Sequence, residues 1–383
     1  MKEGWEYKKI GDIATVVSGS TPQTSVEEFW GKGHYWVTPA ELDDKTVYVS
    51  KTERQITDAA LAKVKLQRLP KGTVLLSSRA PIGKVAICDV DMYCNQGFKN
   101  CICSDLVYNK YLFYFLKDKK EYLNSLGRGA TFKEISKGIV EKVIVPLPPK
   151  PTQISIVSEL DKLNELIRIK KEQLKDYDTL AQSIFYEMFG DPVENEKGWE
   201  VKKIGDVCKT SSGGTPSKAH DEYYNGDILW LRSGEVCQGD IYDTEQTITL
   251  LGLENSSAKI FPVNTVVIAM YGATVGQVGI LRKEMCTNQA ICGILPNGVL
   301  TPEYLNYFLL RMKSEFLKLA IGGAQANISQ QIIRKTLIPL PPLSLQKYFT
   351  CRIRQIEQQK AAIQKTITDL ETLLAARMQY WFD

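Results

Sequence analysis

Glutamate–lysine pairs near the start and the middle of the chain have a spacing that is found in nuclease sites. Glu6-x-Lys8 recurs as Glu200-x-Lys202, so the pattern occurs at two equivalent places. A nuclease also needs an upstream acidic residue that binds the metal ion, and the sequence shows no clear candidate. We therefore interpret both pairs as the solvated face of a strand.

A glycine pattern at residues 29–33 has the spacing of S-adenosylmethionine pockets. The segment is Phe-Trp-Gly-Lys-Gly, but the equivalent residues 223–227 are Tyr-Tyr-Asn-Gly-Asp, and no Asp-Pro-Pro-Tyr or Asn-Pro-Pro-Phe motif follows. The sequence also lacks the Gly-x-x-x-x-Gly-Lys-Ser/Thr loop of ATP motors. We interpret residues 29–33 as a surface turn and expect this chain to be non-catalytic.

Cysteine and histidine usage argues against disulfide and metal scaffolds. The nine cysteines are odd in number, without a Cys-x-x-Cys pair, and the chain has two histidines. A disulfide framework and a structural zinc site are therefore not expected, which fits a reducing cytoplasm. No apolar run reaches the roughly 18 residues of a membrane span. We predict a cytoplasmic protein with no membrane contact.

The dominant feature of the 383-residue chain is an internal duplication with an offset of 193 or 194 residues. Repeats of this kind define the architecture before any local pattern does. The matching segments are 4–13 with 198–207, 18–22 with 212–216, 82–87 with 275–280, 95–96 with 288–289, and 145–149 with 338–342. Trp36 and Glu41 likewise match Trp230 and Glu235.

The duplication predicts an α+β fold in which two mixed α/β domains alternate with two long helices. Short β-like runs lie between Gly and Pro residues, and helix-like stretches follow at 108–126 and 302–320, the second with Thr301 as its N-cap. A Pro-Leu-Pro-Pro motif precedes each long helix. The predicted segments are 1–150, 151–190, 191–342 and 343–383.

Each long helix carries an apolar stripe whose residues are spaced alternately by four and three, which is typical of a coiled coil. The main seam positions are Ile156, Leu160, Leu163, Ile167 and Leu174, and Ile353, Ile356, Ile363, Ile367, Leu370 and Leu374. We expect an antiparallel coiled coil that separates the two domains with pseudo-twofold symmetry and places the N-terminus close to Asp383. The alternative is that each helix lies flat on its own domain.

Three cations interrupt this stripe, namely Lys170, Lys360 and Arg377. Long basic side chains on a helix commonly carry their charge out to solvent, and we expect that here. A role in setting the helix register, or in contacting partner subunits, is the alternative.

Charge and layout together suggest a nucleic-acid partner. Residues 1–150 hold 23 Lys and Arg against 17 Asp and Glu, whereas residues 197–342 hold 14 against 13. A basic domain permits binding to nucleic acid. Two similar domains on a rigid spacer suit the reading of two short elements at a fixed separation on double-stranded DNA.

The order of the motifs resembles the specificity (S) subunit of type I restriction-modification systems. The motifs that carry the resemblance are Gly-Trp-Glu with Lys-Ile-Gly-Asp, the Ser-Gly-x-Thr-Pro turn, Ser78-Arg79 with Ile82-Gly83, residues 95–97, and the Pro-Leu-Pro-Pro-x-x-x-Gln junctions at 146–153 and 339–346. The family usually has Glu-Gln at this junction, where the present chain has Thr152-Gln153 and Leu345-Gln346.

The resemblance implies two target-recognition domains that each read one half of a bipartite, asymmetric DNA site. It implies that the helices dock two methyltransferase (M) subunits and that restriction (R) motor-nuclease subunits join the complex. This chain would bind no cofactor, whereas its partners would use S-adenosylmethionine, ATP and Mg.

Candidate DNA contacts follow from loop chemistry. Arg can bind guanine through two hydrogen bonds, Asn or Gln can bind adenine, and Ser, Thr and Lys suit phosphates. An ordinary polar loop residue is the equal alternative for each candidate, and we expect Trp36 and Trp230 to be core residues. The candidates are Ser20, Thr21, Lys32, Thr38, Arg79, Arg128, Thr131 and Lys133 in the first domain, and Thr215, Lys218, Arg232, Ser233, Tyr271, Gln325 and Asn327 in the second.

Two other functions are kept as alternatives to a DNA specificity subunit. One is a self-sufficient modification or restriction enzyme, which would transfer methyl groups without partners. The other is a scaffold whose two similar domains bind proteins, which would not protect DNA.

Overall fold

The computed structural model divides into two compact units, and each contains segments of both repeats. The first unit is Met1–Lys171 with Lys365–Asp383, and the second is Glu172–Gln364. Because the unit boundaries fall inside both long helices, the four-segment division stays a prediction. The described residues are 2, 4–79, 81–129, 133–236, 239–319 and 327–383.

The first repeat alternates short strands with short helices and ends in a long helix. Its strands are β1 (Glu6–Lys9), β2 (Ala14–Ser18), β3 (Trp30–Val37), β4 (Tyr48–Val49), β5 (Gln55–Ile56), β6 (Val74–Leu76), β7 (Val85–Cys88), β8 (Tyr93–Cys94), β9 (Lys99–Cys103) and β10 (Ile144–Leu147). Its helices are α1 (Ile10–Ile13), α2 (Asp58–Lys63), α3 (Asn109–Asp118), α4 (Lys120–Ser125), α5 (Lys137–Lys142) and α6 (Lys150–Phe189).

A five-stranded sheet with the order β2-β9-β6-β7-β4 is the centre of the first unit. Its middle strands are buried on both faces, because successive side chains point in opposite directions. Val74 and Leu76 face the core that includes α3, whereas Leu75 and Ala86 face a second apolar cluster. A three-stranded sheet, β5-β3-β8, and the pair β1-β10 complete the unit.

The second repeat has the same succession of elements. Its strands are β11 (Val201–Lys203), β12 (Thr210–Ser212), β13 (Tyr224–Leu231), β14 (Asp240–Ile241), β15 (Thr247–Ile248), β16 (Ile260–Phe261), β17 (Val266–Ala269), β18 (Val278–Leu281), β19 (Met285–Thr287), β20 (Ile291–Ile294) and β21 (Leu337–Pro339). Its helices are α7 (Ile204–Val207), α8 (Leu250–Glu254), α9 (Pro302–Arg311), α10 (Lys313–Leu319), α11 (Gln330–Lys335) and α12 (Leu343–Phe382).

The sheets of the second unit repeat those of the first. The order β12-β20-β17-β18-β14 corresponds strand by strand to the five-stranded sheet of the first unit, and β11 pairs with β21. The other sheet, β15-β13-β19-β16, gains one short strand. The predicted duplication and α+β class are therefore confirmed.

The predicted helices after residues 108 and 302 are each broken in two. Helix α3 ends before Lys119 and α4 follows it, and α9 ends before Met312. Thr301 is the N-cap of α9 as predicted, since its hydroxyl accepts a hydrogen bond from the Tyr304 N–H.

The two patterns that suggested catalysis lie on exposed strands. Glu6 and Lys8 form an ion pair of 2.7 Å on β1, and Lys202 of β11 lies 3.0 Å from Glu200, the residue before that strand. The predicted surface turn at 29–33 was wrong. Residues 30–33 open strand β3, although 31–33 are exposed.

Helices α6 and α12 run antiparallel within the first unit. Arg377 donates a hydrogen bond of 2.9 Å to Glu159, and Lys171 forms an ion pair of 2.6 Å with Glu371. The hydrogen bond from Arg377 lowers the pKa of Glu159, against the opposing effect of burial. Phe382, near the end of the chain, is buried in the core of the first repeat.

The same antiparallel packing occurs within the second unit. Lys360 forms an ion pair of 2.8 Å with Asp178, and the Phe185 and Phe349 rings lie 5.7 Å apart. Two of the interrupting cations, Lys360 and Arg377, thus bind a carboxylate on the other helix. The expectation that these two side chains extend to solvent was wrong. Their ion pairs favour the alternative, in which they set the register of the two helices. Lys170 is half-buried.

Every predicted seam position is buried or half-buried, but the stripe does more than join two helices. Ile156 and Leu160 belong to the core of the first unit, and Ile353 and Ile356 to that of the second. The half-buried positions are Leu174, Ile363, Leu370 and Leu374, and the fully buried ones also include Leu163, Ile167 and Ile367.

A buried glutamine at each junction fixes the start of the long helix. The Gln153 side chain accepts a hydrogen bond from the Tyr108 N–H at 2.7 Å and donates to the carbonyls of Leu106 and Pro148. Gln346 makes the equivalent three bonds in the second unit. Buried backbone groups left without partners cost roughly 1–3 kcal/mol each, so this residue has a structural role.

The chain ends meet in the first unit, as predicted. The Trp5 and Trp381 rings are stacked with centroids 6.1 Å apart, and the Lys2 ammonium donates a hydrogen bond of 3.1 Å to the Trp381 carbonyl. The eight cysteines in the described part of the chain are unpaired. No helix among the described residues has the length and apolarity of a membrane span.

Candidate nucleic-acid interface

The Ser-Gly-x-Thr-Pro turn of each repeat is fixed by two side chains that the duplication retains. Thr21 donates a hydrogen bond from its hydroxyl to the Gln96 side chain, and Thr215 does the same to Gln289. The indole of buried Trp36 donates to the Ser20 carbonyl at 3.1 Å, and Trp230 has the equivalent role. Both tryptophans are core residues, as predicted.

Glycine is required in this turn because the backbone of a neighbouring loop passes directly beside it. A Cβ on Gly19 would overlap the Asn95 carbonyl oxygen, and one on Gly213 would overlap the Thr287 carbonyl oxygen. The turn therefore places Thr21 and Thr215 at defined positions beside the Asn-Gln pairs.

A second loop is held by one glutamate in each repeat. The Glu41 carboxylate accepts hydrogen bonds from the Thr38 N–H at 2.7 Å and hydroxyl at 2.9 Å, and from the Glu53 N–H at 2.8 Å. Glu235 accepts from the backbone of Arg232 and Glu245 in the same way. The hydroxyl of Thr38 is thus already engaged within its own turn.

Arg232 is neutralised by two carboxylates in the second unit. Its guanidinium lies 2.9 Å from a Glu235 oxygen and also forms an ion pair with Glu245. The hydrogen bond that the Arg232 guanidinium donates to Glu235 raises the pKa of Arg232. A base or phosphate would have to compete with these partners, so direct readout by Arg232 stays a prediction that the geometry does not favour.

The loop that carries Arg79 converges with Arg128 and Glu134. The Arg79 and Glu134 backbones form an antiparallel bridge, and Arg128 and Glu134 exchange two backbone hydrogen bonds of 3.0 and 2.9 Å. Three predicted contacts, Arg79, Arg128 and Lys133, therefore lie on one loop pair.

The second unit has the same convergence with different side chains. Tyr271 pairs with Asn327, and the Ile328 N–H donates to the Met270 carbonyl at 2.9 Å, as Ile135 does to Ser78. Tyr271 therefore occupies the position of Arg79, and Asn327 that of Glu134.

Two lysines that sequence reasoning missed lie beneath the Arg79 loop. The Lys99 ammonium is almost fully buried, at 3.2 Å from a Glu134 oxygen and 3.3 Å from the Ser78 hydroxyl. Lys84 donates to the Pro39 carbonyl at 3.0 Å. The repeat offset places Cys292 and Gln277 at these positions in the second unit.

The Thr215 turn borders an open pocket in the second unit, with a volume of about 750 Å³. Three predicted contacts line it, namely Thr215, Lys218 and Arg232, together with the Asn288-Gln289 pair. The remaining lining residues are Asp221, Tyr224, Asn225, Trp230, Gln246 and Thr247.

The other predicted contacts are dispersed. Lys32 is exposed on strand β3, and Ser20 and Ser233 are half-buried. Thr131 and Gln325 lie outside the described residues. Arg54, which sequence reasoning missed, stacks its guanidinium 3.6 Å from the Trp30 ring centroid. No sequence pattern marked that contact, because Trp30 begins strand β3 whereas Arg54 lies in the loop before strand β5.

The described part of the chain contains no group of three His, Cys, Asp or Glu residues that is arranged to hold a metal ion. The convergent groups include hydroxyls, amides and cations, which suit hydrogen bonding to bases and phosphates, beside carboxylates that pair with Lys99 and Arg232.

Comparison with known proteins places these features in one family. Residues 2–176 and 196–372 each match the model described as the type I restriction modification DNA specificity domain. The MjaIX specificity subunit of a type I restriction enzyme from Methanocaldococcus jannaschii is 30% identical over 390 residues, covering 96% of this chain and 90% of that protein. The MjaVIII specificity subunit from the same organism is 25% identical, covering 93% and 86%.

Solved structures share the fold across the whole chain. A chain from a type I restriction-modification system, studied for its complex assembly and conformational transition, has a TM-score of 0.68 at 21% identity and matches over 100% of this chain and 98% of that one. The S subunit from M. genitalium has a TM-score of 0.57 at 15% identity, with the same coverage.

The tight packing of the second turn predicts that Gly213→Ala destabilises it. The added methyl group must displace the Thr287 backbone, and overpacking of this kind typically costs about 1–3 kcal/mol. We expect faster hydrogen exchange of the Trp230 indole, whose bond to Gly214 depends on this turn. Gly298→Ala in the same unit is the control, since a Cβ there meets nothing within 4 Å. Equal exchange rates in the two variants would contradict the packing argument.

Proposed function

The chain belongs to the type I restriction modification DNA specificity family, and we propose that it reads a bipartite, asymmetric DNA site. It is a recognition subunit and not a catalytic one. The observation that carries the proposal is the pairing of one repeated scaffold with two different loop sets. Equivalent positions are Arg79 and Tyr271, and Glu134 and Asn327.

Retained and divergent positions separate by role. The residues that both units use in the same way, such as Gln153 and Gln346, satisfy buried backbone groups. The residues that differ lie on loops, where polar side chains can reach base edges. Two such units would read two different half-sites.

We propose that methyltransferase subunits dock on this chain and supply the chemistry. They would bind S-adenosylmethionine, flip an adenine out of the duplex and methylate it. Restriction subunits would join to translocate and cleave DNA with ATP and Mg. This chain would contribute affinity for the site and hold no cofactor.

We further propose that the long helices set the gap between the half-sites. Helices α6 and α12 each contain 40 residues without a break, a length of about 60 Å. The register of α6 against α12 is fixed in each unit by ion pairs as well as by apolar contacts. Such a pair resists bending and suits a spacer.

The recognition role predicts methylation at a split site. The purified chain, its methyltransferase partners and S-adenosylmethionine would be incubated with a randomised DNA library, and methylated molecules sequenced. We expect two fixed elements separated by a gap of constant length, and no methylation by this chain alone. Methyl transfer without partners would instead indicate a self-sufficient enzyme. If the assembled complex protected no DNA, a protein-binding scaffold would be the better account.

The spacer role predicts that helix length controls the gap. One heptad would be inserted between Leu163 and Leu174, with a matching heptad between Ile367 and Leu374, the segment of α12 that packs opposite it. A heptad adds about 10 Å of helix, or roughly three base pairs of DNA. Both half-sites should keep their bases while the gap changes in the same assay. A variant with the insertion in α6 alone is the control, and its apolar seam positions should no longer pair with those of α12. An unchanged gap would rule out the spacer.

A further inference from the structure

One loop position differs in charge between the two units, although its backbone is the same. In the first unit Ser78 donates a backbone hydrogen bond of 2.8 Å to Gly97, and Arg79 follows it. In the second unit Met270 donates a bond of 2.8 Å to Ala290, and Tyr271 follows it. The two side chains are therefore presented from equivalent points.

Gly97 provides the space in which the Arg79 guanidinium lies. A Cβ on Gly97 would be 3.4 Å from the Arg79 Nε, 3.2 Å from Pro39 and 3.0 Å from the Asn95 side-chain oxygen. The guanidinium thus lies beside the Gly97 backbone. The second unit, which has no arginine here, carries Ala290 at the position of Gly97.

The Arg79 guanidinium has no hydrogen-bond acceptor in the described part of the chain. Among the described residues, its guanidinium forms neither a hydrogen bond nor an ion pair, although the residue is half-buried. Arg232 differs in this respect, since two carboxylates occupy its guanidinium. A guanidinium has five N–H donors in a fixed planar arrangement, which suits two parallel bonds to one acceptor pair.

The surroundings of Arg79 favour an electron-rich ligand. Lys84 and Lys99 lie beside the same loop, and Glu134, the carboxylate there, is bound to Lys99. The equivalent positions in the second unit hold neutral side chains, which are Tyr271, Gln277, Cys292 and Asn327.

We propose that Arg79 is a base-reading residue of the first unit and binds the O6 and N7 atoms of a guanine. Bidentate contact between arginine and guanine in the major groove is the commonest specific contact of this kind. Gly97 acts as a positioning residue, because it leaves room for the guanidinium. The second half-site is read at the same place without a cation. The inference rests on the proposed function.

The test uses the full chain in complex with its methyltransferase partners and the randomised library. Arg79→Ala should reduce the preference for one guanine in one half-site on the order of ten- to a hundredfold. Arg79→Lys should lose the same preference while keeping overall methylation, because an ammonium retains the charge but lacks the planar pair of donors. Gly97→Ala should show a partial loss at the same base.

Two controls separate base reading from general effects. Tyr271→Ala should change only the other half-site. Lys65→Ala removes an exposed positive charge from the first unit and should leave every base preference unchanged. Folding of the Arg79 variants is verified by their intact preference at the half-site that Tyr271 contacts.

Several results would overturn the proposal. If Arg79→Ala weakened methylation equally at all sequences and Arg79→Lys restored it, Arg79 would be a phosphate contact. A first half-site without guanine, or an unchanged preference in Arg79→Ala, would also exclude it. Failure of the proposed function is distinguishable, since the unmodified complex would then show no bipartite site at all.

Discussion

Closure of each apolar core by helix segments from both repeats is the constraint on which the structure depends. In the first unit Phe382, from the end of the second repeat, lies 5.4 Å from the ring of Tyr111 and 6.0 Å from that of Phe115. In the second unit Phe189, from the first repeat, lies 5.2 Å from Phe349. Neither repeat contains all the residues of its own core, so each core is complete only when both repeats contribute to it.

This constraint explains which residues the duplication can vary. The junction glutamines and the glutamates Glu41 and Glu235 hydrogen-bond to backbone groups, and a Cβ on Gly19 or Gly213 would overlap the backbone beside it. Loop side chains such as Arg79 form no such bond to backbone among the described residues. Recognition can diverge at those points while the scaffold stays intact, which is what a reader of two different half-sites requires.

The sequence alone was sufficient for the architecture. A nearly constant offset identifies the repeat, and an apolar stripe along both 40-residue helices identifies their pairing, because both signals extend over many residues. Local features were harder to predict. The break at Lys119, the strand at 30–33, and the cross-helix ion pairs of Lys360 and Arg377 depend on neighbours that are distant in the chain.

The candidate interface was only partly predictable for the same reason. Loop composition indicated polar candidates, and the structure brings Arg79, Arg128 and Lys133 onto one loop pair. Loop composition did not indicate that Glu235 and Glu245 neutralise Arg232, or that Lys99 is buried beneath the Arg79 loop. Those facts depend on which side chains tertiary contacts bring together.

Hydrogen exchange in a Phe382→Ala variant tests the closure of the first core most directly. Removal of a buried phenylalanine typically costs about 3–5 kcal/mol, and the effect should appear far away in sequence. The account predicts faster amide exchange in α3, around Tyr111 and Phe115, with α9 unchanged. Leu373→Ala, at an exposed position of the same helix, should have little effect. Unchanged exchange in α3 would contradict the account.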